Sequence, residues 1–190
     1  MQLKISSITN LTDARFFSAI GAHYLGFCLD VLNEYNISIP KAKEIISWLH
    51  EPVIVGEFGI HQSKEEIEYA AKELSMSDIQ IPYLHPQREE LAFEKFLQID
   101  VNDLSVIGSR QPADFFVLKL HPKDLSNQAV RDFISNHNVY IEAGFSKENI
   151  LTITGSLRPY GIQISCRKEE KAGWSAVDEY ADILELIGFS

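Results

Sequence analysis

The chain has little of what usually announces a compartment or a cofactor. Cysteine occurs only at Cys28 and Cys166, far apart and with no His or Cys neighbour at metal-ligand spacing, so neither a zinc site nor a disulfide scaffold is indicated. No cofactor or metal is implied. Basic residues are outnumbered, 17 Lys and Arg against 27 Asp and Glu, for a formal net charge of −10. Nucleic acid and anionic membrane surfaces require clustered Lys and Arg, so neither is expected as a partner. No apolar run approaches the roughly 18–20 residues that cross a bilayer, and no basic segment followed by an apolar stretch opens the chain. A cytoplasmic protein is expected. Low-complexity tracts and linkers rich in Pro, Gly or Ser are also missing, which predicts one domain over residues 1–190.

What is there is a rhythm. Short runs rich in β-formers alternate with amphipathic stretches of helical period, the pattern of repeated βα units around a parallel sheet. Strands are predicted at 2–6, 24–28, 53–58, 78–81, 97–101, 114–120, 139–143 and 161–165, and eight of them fit a closed (β/α)8 barrel. Ser63 with Glu66 makes a capping box, Pro40 suits a first helical turn, and Ser175 with Asp178 opens the last helix. Gly21 is the expected stop between the first helix and the second strand. One unit is short: Asn102–Ala113 contains Gly108, Ser109 and Pro112, so helix five is predicted to be missing or reduced to a turn. The strip this leaves uncovered keeps both a monomer and a homodimer open.

Barrels of this kind build their sites at the carboxyl ends of the strands. Alternation of side chains directs Lys4 and Ser6 inward on strand one, Phe115, Val117 and Lys119 on strand six, and Gln163 and Ser165 on strand eight. Glu57, Gln80, Asp100 and Glu142 fall near the ends of strands three, four, five and seven. Lysines and carboxylates inside a barrel can simply neutralise one another; together, this set reads as a polar pocket. His61, His85 and His121 could all follow strands, but sequence separation alone makes ordinary loop histidines the better reading.

The opening Lys4-Ile5-Ser6-Ser7-Ile8-Thr9 and the segment 3–27 resemble the first unit of phosphoribosylanthranilate isomerase, whose motif reads K-I-C-G-I-T. Residues 55–81 resemble the family's V-G-V-F-V-N-Q-S-P-E-E-I followed by D-A-V-Q-L-H-G, with Gln62, Ser63 and Gln80 matching. Residues 142–150 follow A-G-G-L-T-P-E-N-V, and 159–165 follow P-Y-G-V-D-V-S. The resemblance implies a TIM barrel and an Amadori rearrangement in tryptophan biosynthesis, with the motif cysteine as general base and a strand-six aspartate as general acid. Both positions are changed: Ser6 stands for the cysteine and Lys119 for the aspartate. Gln163 stands where the family has an aspartate that contacts the anthranilate, and His121-Pro122-Lys123-Asp124 replaces a glycine-rich phosphate loop.

Three readings follow. The first is an isomerase-like barrel whose activity is lost or strongly reduced. The second is a working divergent isomerase, with Ser6 and Lys119 as poor substitutes or with Asp100 or Glu142 recruited as acid. The third is a Schiff-base lyase or aldolase using Lys119, with the same two carboxylates as proton shuttles. A small phosphorylated sugar-type ligand is the expected partner. Lys4, Gln80 and Gln163 are its candidate contacts, and Gly144, Ser146, Ser165 and Arg167 the candidate phosphate site.

Overall fold

The structure, a computed structural model, describes residues 1–107, 115–166 and 177–189. Its elements run β1 (Gln2–Ser6), α1 (Leu11–Ala19), β2 (Tyr24–Cys28), α2 (Ile39–Ile46), β3 (Val53–Glu57), α3 (Lys64–Leu74), β4 (Asp78–Pro82), β5 (Glu94–Asp100), β6 (Phe115–Lys119), α4 (Gln128–Asn136), β7 (Val139–Glu142), α5 (Ile150–Leu157), β8 (Gly161–Ser165) and α6 (Val177–Glu185). All eight strands pair in parallel with their sequence neighbours, and β8 closes on β1 from Gln2↔Gly161 to Ser6↔Ser165. This is the (β/α)8 barrel the periodicity predicts.

Two apolar layers hold it. Between strands and helices lies one continuous core in which Leu3, Ile5, Leu25, Phe27, Ile79 and Leu118 are fully buried. Each such side chain stabilises the fold by roughly 1.5–3 kcal/mol through burial. Inside the barrel a second cluster, Val55, Phe96, Val117 and Tyr140 with Tyr24 and Phe115 against it, plugs the lower half. Its rings pack edge-on and stacked, with Phe96 5.0 Å from Tyr24 and from Phe115 and 5.3 Å from Tyr140. The plug floors the barrel, so that polar side chains one step further along each strand meet at the mouth.

The helices begin where the local chemistry directs. Asn10 accepts from the Asp13 N–H at 2.8 Å to cap α1, and Ser63 and Glu66 form both halves of the predicted capping box on α3. Pro40 sits in the first turn of α2. Gly21 ends the first unit at φ +84°, a left-handed conformation that a Cβ would strain. The start predicted for the last helix at Ser175 lies outside the described residues; α6 itself runs from Val177.

Two details differ from expectation. Strand five begins at Glu94, three residues before the predicted start. Glu94 and Lys95 look like loop residues, but Phe96 belongs to the aromatic plug and draws the strand back with it. The fourth unit, expected to be normal, has only a 3₁₀ turn at Arg88–Glu90 between β4 and β5. Pro86 blocks a helix there. Arg88 lies over the Tyr83 ring at 4.3 Å and donates to its carbonyl, and Leu91 is buried in the helix's stead. After β5, the reduced helix takes the form of a 3₁₀ segment, Val101–Val106, with 108–114 outside the described residues.

Candidate functional site

Register alone lines up a polar rim. Ser6 lies beside Ser165, Glu57 beside Gln80, and Lys119, Glu142 and Gln163 follow one another across β6, β7 and β8. These residues line one cavity of about 610 Å³ at the carboxyl end of the barrel, together with Ser7, Cys28, Asp30, His61 and Gln98. Its size suits a small molecule.

Glu57 is the centre of one wall. Its Oε1 accepts from the fully buried Lys4 ammonium at 2.7 Å, and its Oε2 accepts from Ser6 Oγ at 2.9 Å and from the Ser7 N–H at 3.1 Å. Lys4 also lies 5.6 Å from the centre of the Phe96 ring, on top of the plug. Room for the pair comes from Gly26, where a Cβ would stand 2.0 Å from Glu57 Oε1 and 3.1 Å from Lys4 Nζ. Ser7 holds φ +61°, a left-handed backbone normally left to glycine, and the quoted family motif has glycine there.

Glu142 organises the opposite wall. Oε2 accepts from Gln163 Nε2 at 3.0 Å and Oε1 from Ser165 Oγ at 3.2 Å. Gln163 is 1% exposed, and its Oε1 has no hydrogen-bond partner. Gln80, 6% exposed, also has an unpartnered Oε1, with its Nε2 3.4 Å from Gln98 Oε1. Lys119 is exposed at the strand end and, among the described residues, has no hydrogen-bond or ion-pair partner.

Other predicted residues are dispersed. Asp100, the register partner of Lys119, lines a smaller neighbouring recess of about 290 Å³ with Asp103 and Tyr83, which shares Ile60, Pro82 and Gln98 with the main cavity. Gly144 lines a separate hollow of about 120 Å³ that shares Glu142 and Ser165 with the main cavity. Ser146 lines neither; its N–H donates to Asn149 Oδ1 at the start of α5. Arg167 lies outside the described residues. Of the histidines, His85 is buried and donates from Nε2 to the Gln62 carbonyl, while His61 pairs with Asp30 at 3.2 Å. Among the described residues no group of His, Cys, Asp and Glu is arranged to hold a metal ion.

Burial pushes the Cys28 thiol up to about 11, and holds the Cys166 thiol well above its ordinary range with Asp13 and Glu57 charges adding to the effect. Both line the cavity as neutral groups, without the cationic surroundings that activate a cysteine. Glu57 is the cavity residue that sequence reasoning undervalued. The signal was present: V-G-E-F at 55–58 departs from the family's V-G-V-F by one carboxylate. Its link to Ser6, 51 residues away, is a matter of barrel closure.

Among the described residues no helix is long and apolar enough to cross a membrane. No protein-family model matches the chain. A curated N-(5'-phosphoribosyl)anthranilate isomerase of Rubrobacter xylanophilus is 26% identical over 192 residues, spanning 90% of this chain and 91% of the relative. The solved isomerase of Thermus thermophilus superposes with a TM-score of 0.79 at 23% identity, over 98% of each chain. The mutually generated monomers of the dimeric Thermotoga maritima isomerase give 0.81 at 21% identity, over 97% of each. A phosphoribosylanthranilate isomerase in complex with reduced 1-(o-carboxyphenylamino)-1-deoxyribulose 5-phosphate gives 0.79 at 20%, again over 97% of each. The curated and structural neighbours of this chain together point to the phosphoribosylanthranilate isomerase family.

Proposed function

We propose that this barrel has kept the family's small-molecule cavity while exchanging the groups that move protons in it, so that isomerisation of phosphoribosylanthranilate is lost or strongly reduced. The observation that carries the reading is the carboxylate of Glu57. The Ser6 hydroxyl, at the cysteine position, donates to an oxygen whose carboxylate is already tied to the buried Lys4 ammonium. A neutral hydroxyl is a poor proton acceptor, and the base that could activate it is already engaged by two further protein donors, the Lys4 ammonium and the Ser7 N–H. At the aspartate position Lys119 offers an ammonium, a far weaker acid than a carboxyl group. General acid and base each contribute roughly 10²–10⁴-fold, so exchanging both leaves little turnover. The ligand we assign is a small phosphorylated sugar-type molecule, with Gln80, Gln163 and Ser165 among the cavity residues that would meet it and Gly144 in the adjoining hollow; Lys4 is buried beneath Glu57 and Ser146 lines neither space.

The test is turnover of freshly generated phosphoribosylanthranilate, followed by anthranilate fluorescence, in the wild type, Ser6→Cys/Lys119→Asp and Ser6→Cys/Glu57→Val/Lys119→Asp. In the triple variant the Lys4 ammonium faces a thiol, which lowers a cysteine's pKa. Wild-type turnover at or below about 10⁻⁴ of the triple variant's is expected. Wild-type activity equal to that of the triple variant overturns the reading.

A second reading draws on Lys119, which lines the cavity without a partner among the described residues. Its amine could attack a substrate carbonyl and expel water to form an imine, with Glu142 on the next strand available to exchange the proton. Asp100, the other proposed shuttle and the register partner of Lys119, lines the recess that adjoins the cavity. Borohydride trapping with small aldehydes and ketones would add mass at Lys119; no labelling across the panel removes this reading.

A further inference from the structure

The wall around Glu142 says what kind of group it receives. An amide's oxygen and nitrogen are ordinarily interchangeable by a half-turn, but at Gln163 the choice is fixed by its neighbour. Glu142 is an acceptor, so the amide edge 3.0 Å from Glu142 Oε2 is the NH₂, and the other edge is a carbonyl oxygen. That oxygen is buried, unpartnered and carried by a residue that lines the cavity. A desolvated acceptor without a donor destabilises a fold, and such groups persist where a ligand supplies the missing half.

Its surroundings repeat the demand. Glu142 receives only neutral donors, from Gln163 and Ser165, and no cation lies within 4.0 Å of it among the described residues, although Lys119 is its register partner on β6. On the far side, Gln80 has one unpartnered amide atom whichever way its amide is turned, since Gln98 can engage only one edge. The carboxylate of Glu57 completes the set, and Asp30 already has His61. An aromatic carboxylate brought to the Glu142 wall would meet a carboxylate and a carbonyl oxygen, acceptor against acceptor.

We infer that Gln163 Oε1 and Glu142 together form a subsite for a hydrogen-bond donor group, a hydroxyl or an ammonium, on a small sugar-type ligand, and that this subsite discriminates against a carboxylate there. The inference rests on the reading of the mouth as a ligand cavity and adds to it the chemistry of the ligand's non-phosphate end. A site built to pair a donor rejects analogues that lack one far more strongly than an apolar pocket rejects a misfit.

Four probes test it by calorimetric titration: ribose 5-phosphate for hydroxyls, glucosamine 6-phosphate for an ammonium, anthranilate for a carboxylate, and inorganic phosphate as reference. At least one sugar phosphate is expected to bind the wild type tenfold or more tighter than inorganic phosphate. Gln163→Met should erase that margin while binding inorganic phosphate as before, and anthranilate should not bind. Glu142→Gln then separates the sources: it weakens the ammonium probe and spares the hydroxyl probe. Should Gln163→Met fail to fold, Gln163→Asn keeps the amide and withdraws it by one methylene. Sugar phosphates that bind no better than inorganic phosphate, or that bind Gln163→Met as tightly as wild type, overturn the inference, the latter because the carbonyl would then be served by solvent alone. Anthranilate binding that exceeds the sugar phosphates overturns it too, and each of these leaves the ligand cavity standing. No binding of any probe overturns the inference and the cavity reading together.

Discussion

Gly26 shows how much of this site depends on a missing side chain. Lys4 and Glu57 are both buried, and a buried ion pair is sustained only by close geometry and by donors for the remaining lone pairs. Ser6 and Ser7 supply those donors, and Gly26 leaves the space in which the carboxylate sits. Gly26→Ala therefore cannot coexist with the pair as it stands, and the loss expected in urea unfolding is about 3 kcal/mol, the cost of breaking a buried pair. The same substitution in a Lys4→Met/Glu57→Val background should cost less than about 1 kcal/mol, because the ammonium and carboxylate it collides with are gone and volume is roughly conserved. An equal loss in both backgrounds would mean that the clash is with the backbone of the barrel and that the ion pair is incidental.

At the scale of elements, the units of this barrel divide by how they are started. α3 has a complete capping box, exposed acidic side chains at Glu65, Glu66 and Glu68 and a buried stripe of Ile67, Ala70, Ala71 and Leu74, so sequence, cap and packing agree. Ser63→Ala should cost about 1 kcal/mol in thermal or urea unfolding, with Glu66→Ala costing no more than that, because each removes one of two reciprocal bonds. A loss below about 0.3 kcal/mol would mean that tertiary contacts alone hold the helix start. The loop before α3 matters equally for the site: Gln62 accepts from the Gly59 N–H and donates to the Leu29 carbonyl, which ties the ends of β3 and β2 together beside Asp30 and His61. Gln62 matches the family pattern for a structural reason rather than as a ligand contact.

Across the whole molecule, stability is unevenly spread because, among the described residues, two consecutive units have 3₁₀ turns where a helix would cover the barrel. Strands β4 and β5 nevertheless pair along five residues, and β5 with β6 along five. Amide exchange should then be slowest in β1, β7 and β8, whose backbones are paired on both sides beneath α-helices, and faster by at least about tenfold at 84–93 and 101–106, where short 3₁₀ turns stand in place of an α-helix. Uniform protection around the ring would show that the plug of Phe96, Phe115 and Tyr140 stabilises all eight units alike.

The barrel was legible in the chain because its determinants are local and periodic: eight β-rich runs, helical spacing between them, and caps or stops at Ser63, Pro40 and Gly21. Inward positions followed from alternation, which is why Ser6, Gln80, Lys119, Glu142, Gln163 and Ser165 come together around the mouth and Lys4 lies beneath them against Glu57. Two things needed closure in three dimensions. The height of a residue on its strand is set by the barrel's stagger, and it put Asp100 in the recess beside the main cavity, with Gln98 lining both. Pairing across the interior joins residues distant in sequence, so the bond from Ser6 to Glu57 and the unpartnered carbonyl of Gln163 could not be read from either residue's neighbours. Local order fixes which residues point inward; only the closed ring decides which of them are satisfied by one another and which are left to a ligand.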